Sequence, residues 1–383
     1  MMVVLACLLI FVTFLMFEAI YAHLKRNSIR LRIAVTGVRG KSSVTRLITF
    51  ALRQNGMKVL GKVTGSKPVL IYPDGEEKII ERKRKPLVTE QIRVFLKTAN
   101  RLAVEGFVCE TMSVNPEILR CEIQNILKPH IVVIARITVD HVEELGNSIK
   151  EVRKNIVSAC NYGSTVITTK GNLDRSSLEI LRKKECTVIE IEPHEQIIKP
   201  GDYLEFDENL ILASAVCEFI GLQKEKITKI FTDVPGDIGA LRCWRINNGV
   251  IAINGFAAND PDSTIKVFEK AKQFLIQNGL VDPKFVGVLN LRPDRVDRTA
   301  QWLRQLKTWF PFERLYVTGP DNVLFVRRLG NSKCLPMKIE SVLTEINKLE
   351  SGTIVFGFGN IADTGLKLID QWQESERCLK SQL

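Results

Sequence analysis

A chain of 383 residues, 45% apolar and 25% charged, has the composition of ordinary folded protein and the length for two domains with separate cores, which excludes a disordered chain. Its formal net charge of +11 leaves nucleic acid, an anionic membrane surface or an acidic substrate as counterparts; no aromatic residues interleave with the basic cluster Arg82-Lys83-Arg84-Lys85, so the stacking half of a single-strand-binding surface is missing and no nucleic-acid partner is expected. Nine cysteines, an odd number with neither a C-x-x-C pair nor a Cys/His cluster at ligand spacing, read as reduced thiols in a cytosolic compartment.

The first predicted element is a membrane helix. Residues 1–17 are apolar except for Thr13, and 19–22 extend the run past Glu18. About 20 such residues at about 1.5 Å each reach about 30 Å, the thickness of a bilayer's hydrocarbon layer. No Lys or Arg precedes the run, while Lys25, Arg26, Arg30 and Arg32 follow it, so the positive-inside rule leaves the rest of the chain in the cytoplasm. A cleaved signal peptide would have a basic start and small residues at its cleavage site, and Glu18 and Tyr21 stand where those should be. The expectation is a single-pass anchor over 1–23 in the cell membrane.

Beyond it, short apolar runs at 31–35, 59–63, 106–109, 130–135, 165–168 and 187–191 alternate with amphipathic segments at 44–54, 89–103, 148–160 and 207–220. That alternation predicts an α/β fold with a parallel sheet covered by helices. Residues 66–86, with the turn Tyr72-Pro73-Asp74-Gly75, read as an inserted hairpin. Turn formers at 234–239 mark a boundary, after which strands at 250–253, 286–289, 315–317 and 353–356 predict a second, smaller α/β domain. The expected domains are 30–236 and 243–376.

The run Thr36-Gly37-Val38-Arg39-Gly40-Lys41-Ser42-Ser43 lies between the first strand and the first amphipathic helix, the context that a phosphate-binding loop requires. Glycines let the backbone pass close to a polyphosphate, amides of the turn and of the new helix point at it, and Lys41 adds a full positive charge. Ser42 or Ser43 is placed to hold Mg²⁺. Glu110, at the end of a strand, suits a metal-binding or water-holding acid, or a helix-entry acid. Asp140-His141 follows another strand end, where an N-cap aspartate beside a surface histidine explains it equally well. In the second domain Asn254-Gly255-Phe256-Ala257-Ala258-Asn259-Asp260 and Leu291-Arg292-Pro293-Asp294-Arg295-Val296-Asp297-Arg298 occupy strand-to-helix turns, the latter with three arginines for anionic groups. Helix capping by Asp260 and Asp294 is the plain alternative.

Taken together with Glu110-Thr111-Met112-Ser113-Val114-Asn115-Pro116 and Gly357-Phe358-Gly359-Asn360, these motifs resemble the ATP-dependent ligase subunits of bacterial poly-γ-glutamate synthases, capsule-forming relatives of the Mur and folylpolyglutamate ligases. The similarity runs over nearly the whole chain. It implies a Mur-ligase-like P-loop ATPase domain followed by a Rossmann-like domain, with ATP and Mg²⁺ as cofactors. It implies that Lys41 and the amides of Gly37, Val38, Arg39 and Gly40 hold the phosphates, that Ser42 and Ser43 hold one metal ion, and that Glu110 and His141 hold a second. Asn259 and the Asp294 segment would touch nucleotide, and Arg242 near the hinge resembles an arginine that reaches the phosphates. The family's modified lysine has no counterpart in register, since only Lys150 and Lys154 lie nearby.

The implied reaction activates a glutamate carboxylate as an acyl phosphate and joins it to the amino group of another glutamate. Expected partners are glutamate and the growing poly-γ-glutamate chain, the membrane, and membrane-embedded synthase or export subunits; a homo-oligomer is also expected. The rival reading is a P-loop ATPase or nucleotide-binding subunit that powers a membrane assembly or export complex.

Overall fold

The computed structural model describes residues 2–65, 67–82, 86–140, 142–192, 200–246, 249–292, 296–374 and 377–378. They form two compact units. The first takes the residues up to 192 together with Phe206–Thr232, and the second takes 200–205 and the residues from Asp233 onward.

The chain opens on helix α1 (Met2–Asn27), about 39 Å long at about 1.5 Å per residue. Its most apolar window has a mean hydropathy of 2.7 and is not buried at all. Only the far end packs, where Ala22 and Arg26 are buried. The first sheet then comprises β1 (Leu31–Thr36), β2 (Val59–Val63), β3 (Val69–Ile71), β4 (Glu77–Ile79), β5 (Gly106–Glu110), β6 (Ile131–Ile134), β7 (Thr165–Thr169) and β8 (Thr187–Ile191). Their spatial order is β4-β3-β2-β5-β1-β6-β7-β8. All neighbours are parallel except the β2-β3-β4 meander, in which Gly75 N–H closes the predicted turn onto Tyr72 O at 2.9 Å. With helices over both faces, the inner strands are mostly apolar, and β2, β5 and β6 are buried at every position, Lys62 and Glu110 being the charged exceptions.

Helix α2 (Lys41–Gln54) follows β1 and buries Val44, Leu47, Ile48, Ala51 and Leu52, the spacing of one helical face. The predicted 89–103 helix is a π-helical segment, Gln91–Leu96, running into α3 (Lys97–Arg101). A helix absent from the predicted elements, α4 (Pro116–Arg120), runs into a second π-helical segment, Cys121–Leu127; Asn115 caps it by accepting from the amides of Glu117 and Ile118, and Pro116 opens it. Lys183 and Thr232 end two further helices that the sequence pattern does not single out, Arg175–Lys183 and Lys224–Thr232.

The second unit holds β9 (Cys243–Arg245), β10 (Ile251–Asn254), β11 (Phe285–Asn290), β12 (Arg314–Thr318), β13 (Cys334–Pro336), β14 (Ile354–Gly359) and β15 (Arg377–Cys378), ordered β13-β12-β11-β14-β10-β9-β15. The four predicted strands are its parallel centre. The additions, β13 at one edge and β9 and β15 at the other side, are strands of three residues or fewer, too short to show a pattern. One side of the sheet packs on an aromatic cluster in which the Phe268 ring lies 4.6 Å from Phe285, 5.2 Å from Phe356 and 5.3 Å from Trp309. Phe268→Ala is expected to destabilise this unit by about 3–5 kcal/mol. Urea titration followed by tryptophan emission checks it, and a shift below about 0.5 kcal/mol would mean that the cluster can collapse around the gap.

Candidate active site

The phosphate loop turns back on itself against the exit of β6. Gly37 has φ +120°, and a Cβ built there would lie 2.7 Å from Ala135 O, so only glycine fits. The amides of Val38 and Arg39 both donate to Arg136 O, at 3.0 and 3.1 Å. Gly40, with φ +84°, is the N-cap of α2, and a Cβ there would run into the side chain of Asn209 from the helix Asp207–Phe219. No side chain caps α2, and its first turn carries no acid, so the positive end of the helix is left for an anion. Lys41 Nζ donates to Gly37 O at 3.1 Å and so lies over the loop. Burial lowers the Lys41 pKa from its ordinary value, against the pull of Glu110 and with the push of Arg39.

Glu110 is nearly buried at 3% exposure. It sits at the carboxyl end of β5, where the β1–β5 register sets it opposite Val35. Its Oε2 accepts from Ser42 Oγ at 2.9 Å and from Thr64 N–H at 2.8 Å. A strand-end carboxylate joined to a hydroxyl on the phosphate-loop helix excludes the helix-entry reading. An oxygen-only pair of this kind fits Mg²⁺, which takes one or two carboxylates and completes its shell with phosphate and water. Ser43 lies in the first turn of α2, partly buried.

Behind Glu110 lies a charge network that the motifs do not indicate. Lys62, wholly buried in β2, has its Nζ 2.7 Å from both Glu90 Oε1 and Gln91 Oε1. Gln91 donates to Glu122 Oε1 at 2.5 Å, and Glu122 accepts the amides of Met112 and Ser113 at 3.0 and 3.1 Å. Arg82 completes the set with two bonds to Glu90, at 2.8 and 2.9 Å. The segment after Glu110 is thereby pinned from below. A lone lysine inside an apolar strand is the one signal in the sequence that points to it.

His141 lies outside the described residues. Its neighbour Asp140 accepts from Arg39 at 2.7 Å, tying the loop after β6 to the phosphate loop. Lys150 and Lys154 are both exposed on the helix Ile149–Ala159.

In the second unit, Asp260 caps the helix Pro261–Gln277 by accepting from Ser263 N–H at 2.9 Å, as the capping alternative predicts. Asn259 Oδ1 accepts from Arg298. Asp294 lies outside the described residues. The carboxyl ends of β11 and β14 border a shallow pocket, open to solvent and lined by Asn259, Asn290, Arg292, Arg298, Trp302 and Asn360. Arginines among amides suit an anionic group. Arg242 is buried, and its guanidinium donates to Asp237 O and Gly236 O, both at 2.6 Å, and to Asp202 at 3.0 Å, which braces the turn at 236–240.

Comparison with known proteins bears on both units. The family described as Mur ligase middle domain matches residues 35–240, and that described as Poly-gamma-glutamate synthase CapB C-terminal domain matches residues 244–375. Capsule biosynthesis protein CapB of Bacillus anthracis is 30% identical over 371 residues, covering 92% of this chain and 79% of that protein. PGA synthase CapB of Bacillus subtilis (strain 168) is 28% identical over 364 residues, covering 91% of each. Among solved structures, E. coli FolC in complex with DHPP and ADP has a TM-score of 0.66 at 13% identity, covering 93% of this chain and 92% of that one. The bifunctional folylpolyglutamate synthase/dihydrofolate synthase of Yersinia pestis, complexed with AMPPNP and Mn ion, gives 0.67 at 12% identity, with the same coverage.

Lys62→Met removes the cation of the buried network and leaves Glu90 with Arg82 alone. The expected cost is about 3 kcal/mol, the scale for breaking a buried pair. Denaturant titration of the variant measures it, and a loss under about 1 kcal/mol would show that the network bears little of the fold's stability.

Proposed function

We propose a residue-level mechanism for a chain that belongs to the Mur ligase family, in its poly-gamma-glutamate synthase CapB branch. The protein is an ATP-dependent amide-forming ligase of poly-γ-glutamate synthesis, and this family membership favours ligation over a bare ATPase that drives export. A glutamate carboxylate attacks the γ-phosphorus of ATP, ADP leaves, and an acyl phosphate forms. The amine of another glutamate then attacks the acyl carbon, phosphate departs, and the amine loses its proton.

The observation that carries the residue assignment is the juxtaposition of an uncapped helix start, Lys41 above a two-glycine turn, and the Ser42–Glu110 pair. The main barrier is the approach of one anion to another, so charge stabilisation supplies most of the catalysis. In our reading, the amides at Gly37 to Gly40 and the first turn of α2 orient the β- and γ-phosphates, and Lys41 offsets the charge that develops on them. Ser42 and Ser43 would hold one Mg²⁺ ion, and Glu110, joined to Ser42, would hold a second together with His141, which is assigned from the family resemblance. The metal, when bound, draws charge from the phosphate oxygens. Asn259 and the Asp294 segment contact the nucleotide, and Arg292 and Arg298 receive substrate carboxylates, for which the guanidinium fork is suited. Arg242, which braces its own turn in this structure, is assigned to the phosphates from the family resemblance alone.

We also place α1 across the membrane with the ligase on the cytoplasmic side. A cleaved leader would take with it Ala22 and Arg26, both buried against the folded unit. Glutamate, the growing polymer and membrane-embedded synthase or export subunits are the proposed partners.

Lys41→Met tests the loop. Because the folded pKa of Lys41 is lowered, the ammonium costs stability at pH values below that pKa, and the cost fades as pH rises toward the ordinary 10.5. The ligand-free variant is therefore expected to melt no lower than the parent at neutral pH, to lose the rise in melting temperature that ATP gives, and to lose glutamate-dependent ADP release by about 10²–10³-fold. Retained polymer synthesis would refute the assignment.

A further inference from the structure

The last third of α1 is built into the first unit. Arg93 reaches Glu18 at 3.2 Å, and Asn100 Nδ2 donates to Lys25 O at 2.7 Å. These two rungs are seven residues apart on both helices, so the helix Gln91–Arg101 and α1 run side by side in the same direction. Arg26 adds a third tie, donating to the carbonyls of Asn125 and Ile126 at 3.0 and 3.2 Å. Ala22 and Ile29 share one core cluster with Ile92, Phe95 and Leu96.

That direction has a consequence for the active site. The helix Gln91–Arg101 leads into β5, and it therefore runs antiparallel to β5 and to the parallel strands beside it. Since α1 runs with this helix, its exposed apolar part projects past the carboxyl ends of the strands, the edge where the phosphate loop and Glu110 lie. Residues 2–17 supply only about 24 Å at about 1.5 Å per residue, short of a hydrocarbon layer of about 30 Å. Glu18 and Arg93 are consequently drawn to the lipid boundary. Leu87 starts the turn that leads into Gln91, six residues ahead of Arg93, and it is 67% exposed. On the same edge Ile118 and Val139 are exposed as well.

We infer that the carboxyl edge of the first sheet faces the bilayer, with Leu87 seated in the headgroup layer, so that the ATP site opens at the membrane surface rather than away from it. This rests on reading α1 as a membrane span. The ligand is the lipid itself, met by an apolar tip beside the Arg82–Glu90 and Arg93–Glu18 pairs, whose charged heads can stay at headgroup level.

The test uses the full chain reconstituted alone in phosphatidylcholine/phosphatidylglycerol vesicles, with a photo-crosslinking residue placed singly at Leu87, at Phe11 on α1, or at Tyr162. Tyr162 is as exposed as Leu87 but precedes β7 at the amino edge of the sheet. Lipid adducts at Phe11 and Leu87, several-fold above Tyr162, are expected. Adducts at Phe11 with Leu87 no better than Tyr162 overturn the orientation and leave the anchor intact. No adduct at Phe11 overturns the anchor and the orientation with it.

Discussion

The carboxylate of Glu110 is the constraint on which the site depends. A nearly buried acid must be met by donors, and here they come from two different segments, Ser42 on α2 and the amide of Thr64 beyond β2. Both can reach it only because β1, β5 and β2 end at one level. The register fixes that level, with Val35 opposite Glu110, Lys62 opposite Cys109, and Thr111 N–H bonded to Val35 O at 2.9 Å. A slip of one residue would turn Glu110 to the other face of the sheet. Strand pairing, which is non-specific chemistry, thereby sets the position of a specific oxygen.

The phosphate loop obeys a second constraint, which is space. Arg136 O accepts two loop amides, and Gly37 lies against Ala135, so the loop rests on the exit of β6. Asn209, far along the chain, closes the other side at Gly40. The loop is therefore not a local motif folded by itself. It is a turn held between a neighbouring strand and a helix from the end of the first unit, which is why its two glycines leave no room for a side chain.

Much of this was legible in the sequence, for physical reasons. Buried parallel strands are largely apolar on both faces, so β1, β2, β5 to β7 and the centre of the second sheet stand out as short runs, as does the half-exposed edge strand β8, and the turn from β1 into α2 announces itself through Gly37, Gly40 and Lys41. The short strands β9, β13 and β15 carry too few residues to show periodicity. The network of Lys62, Glu90, Gln91 and Glu122 was illegible because its members lie 28 or more residues apart at its main links and become neighbours only when β2 and the two π-helical segments pack. Arg242 illustrates the opposite case: its residue type suits a phosphate, while its surroundings engage it in bracing a turn.

Charge balance explains how such a site selects its ligand. Around the loop, Arg39 is paired with Asp140, Arg136 lies 3.9 Å from Glu208, and Lys41 is countered by Glu110. These three cations and three anions cancel, so the excess of +11 belongs to the molecule at large and not to the loop. With screening over about 8 Å at physiological salt, the distant excess does little at the site. An anion that arrived without counter-charge would meet Glu110 as well as Lys41. In the proposed roles, a nucleotide that brings a divalent cation would meet Glu110 with the metal and Lys41 with the helix amides at the phosphates, so both charges would find partners. In the proposed arrangement, the separation of opposite charges across Ser42, rather than a sum of positive ones, favours a polyphosphate that carries its own metal ion over a polyanion that does not.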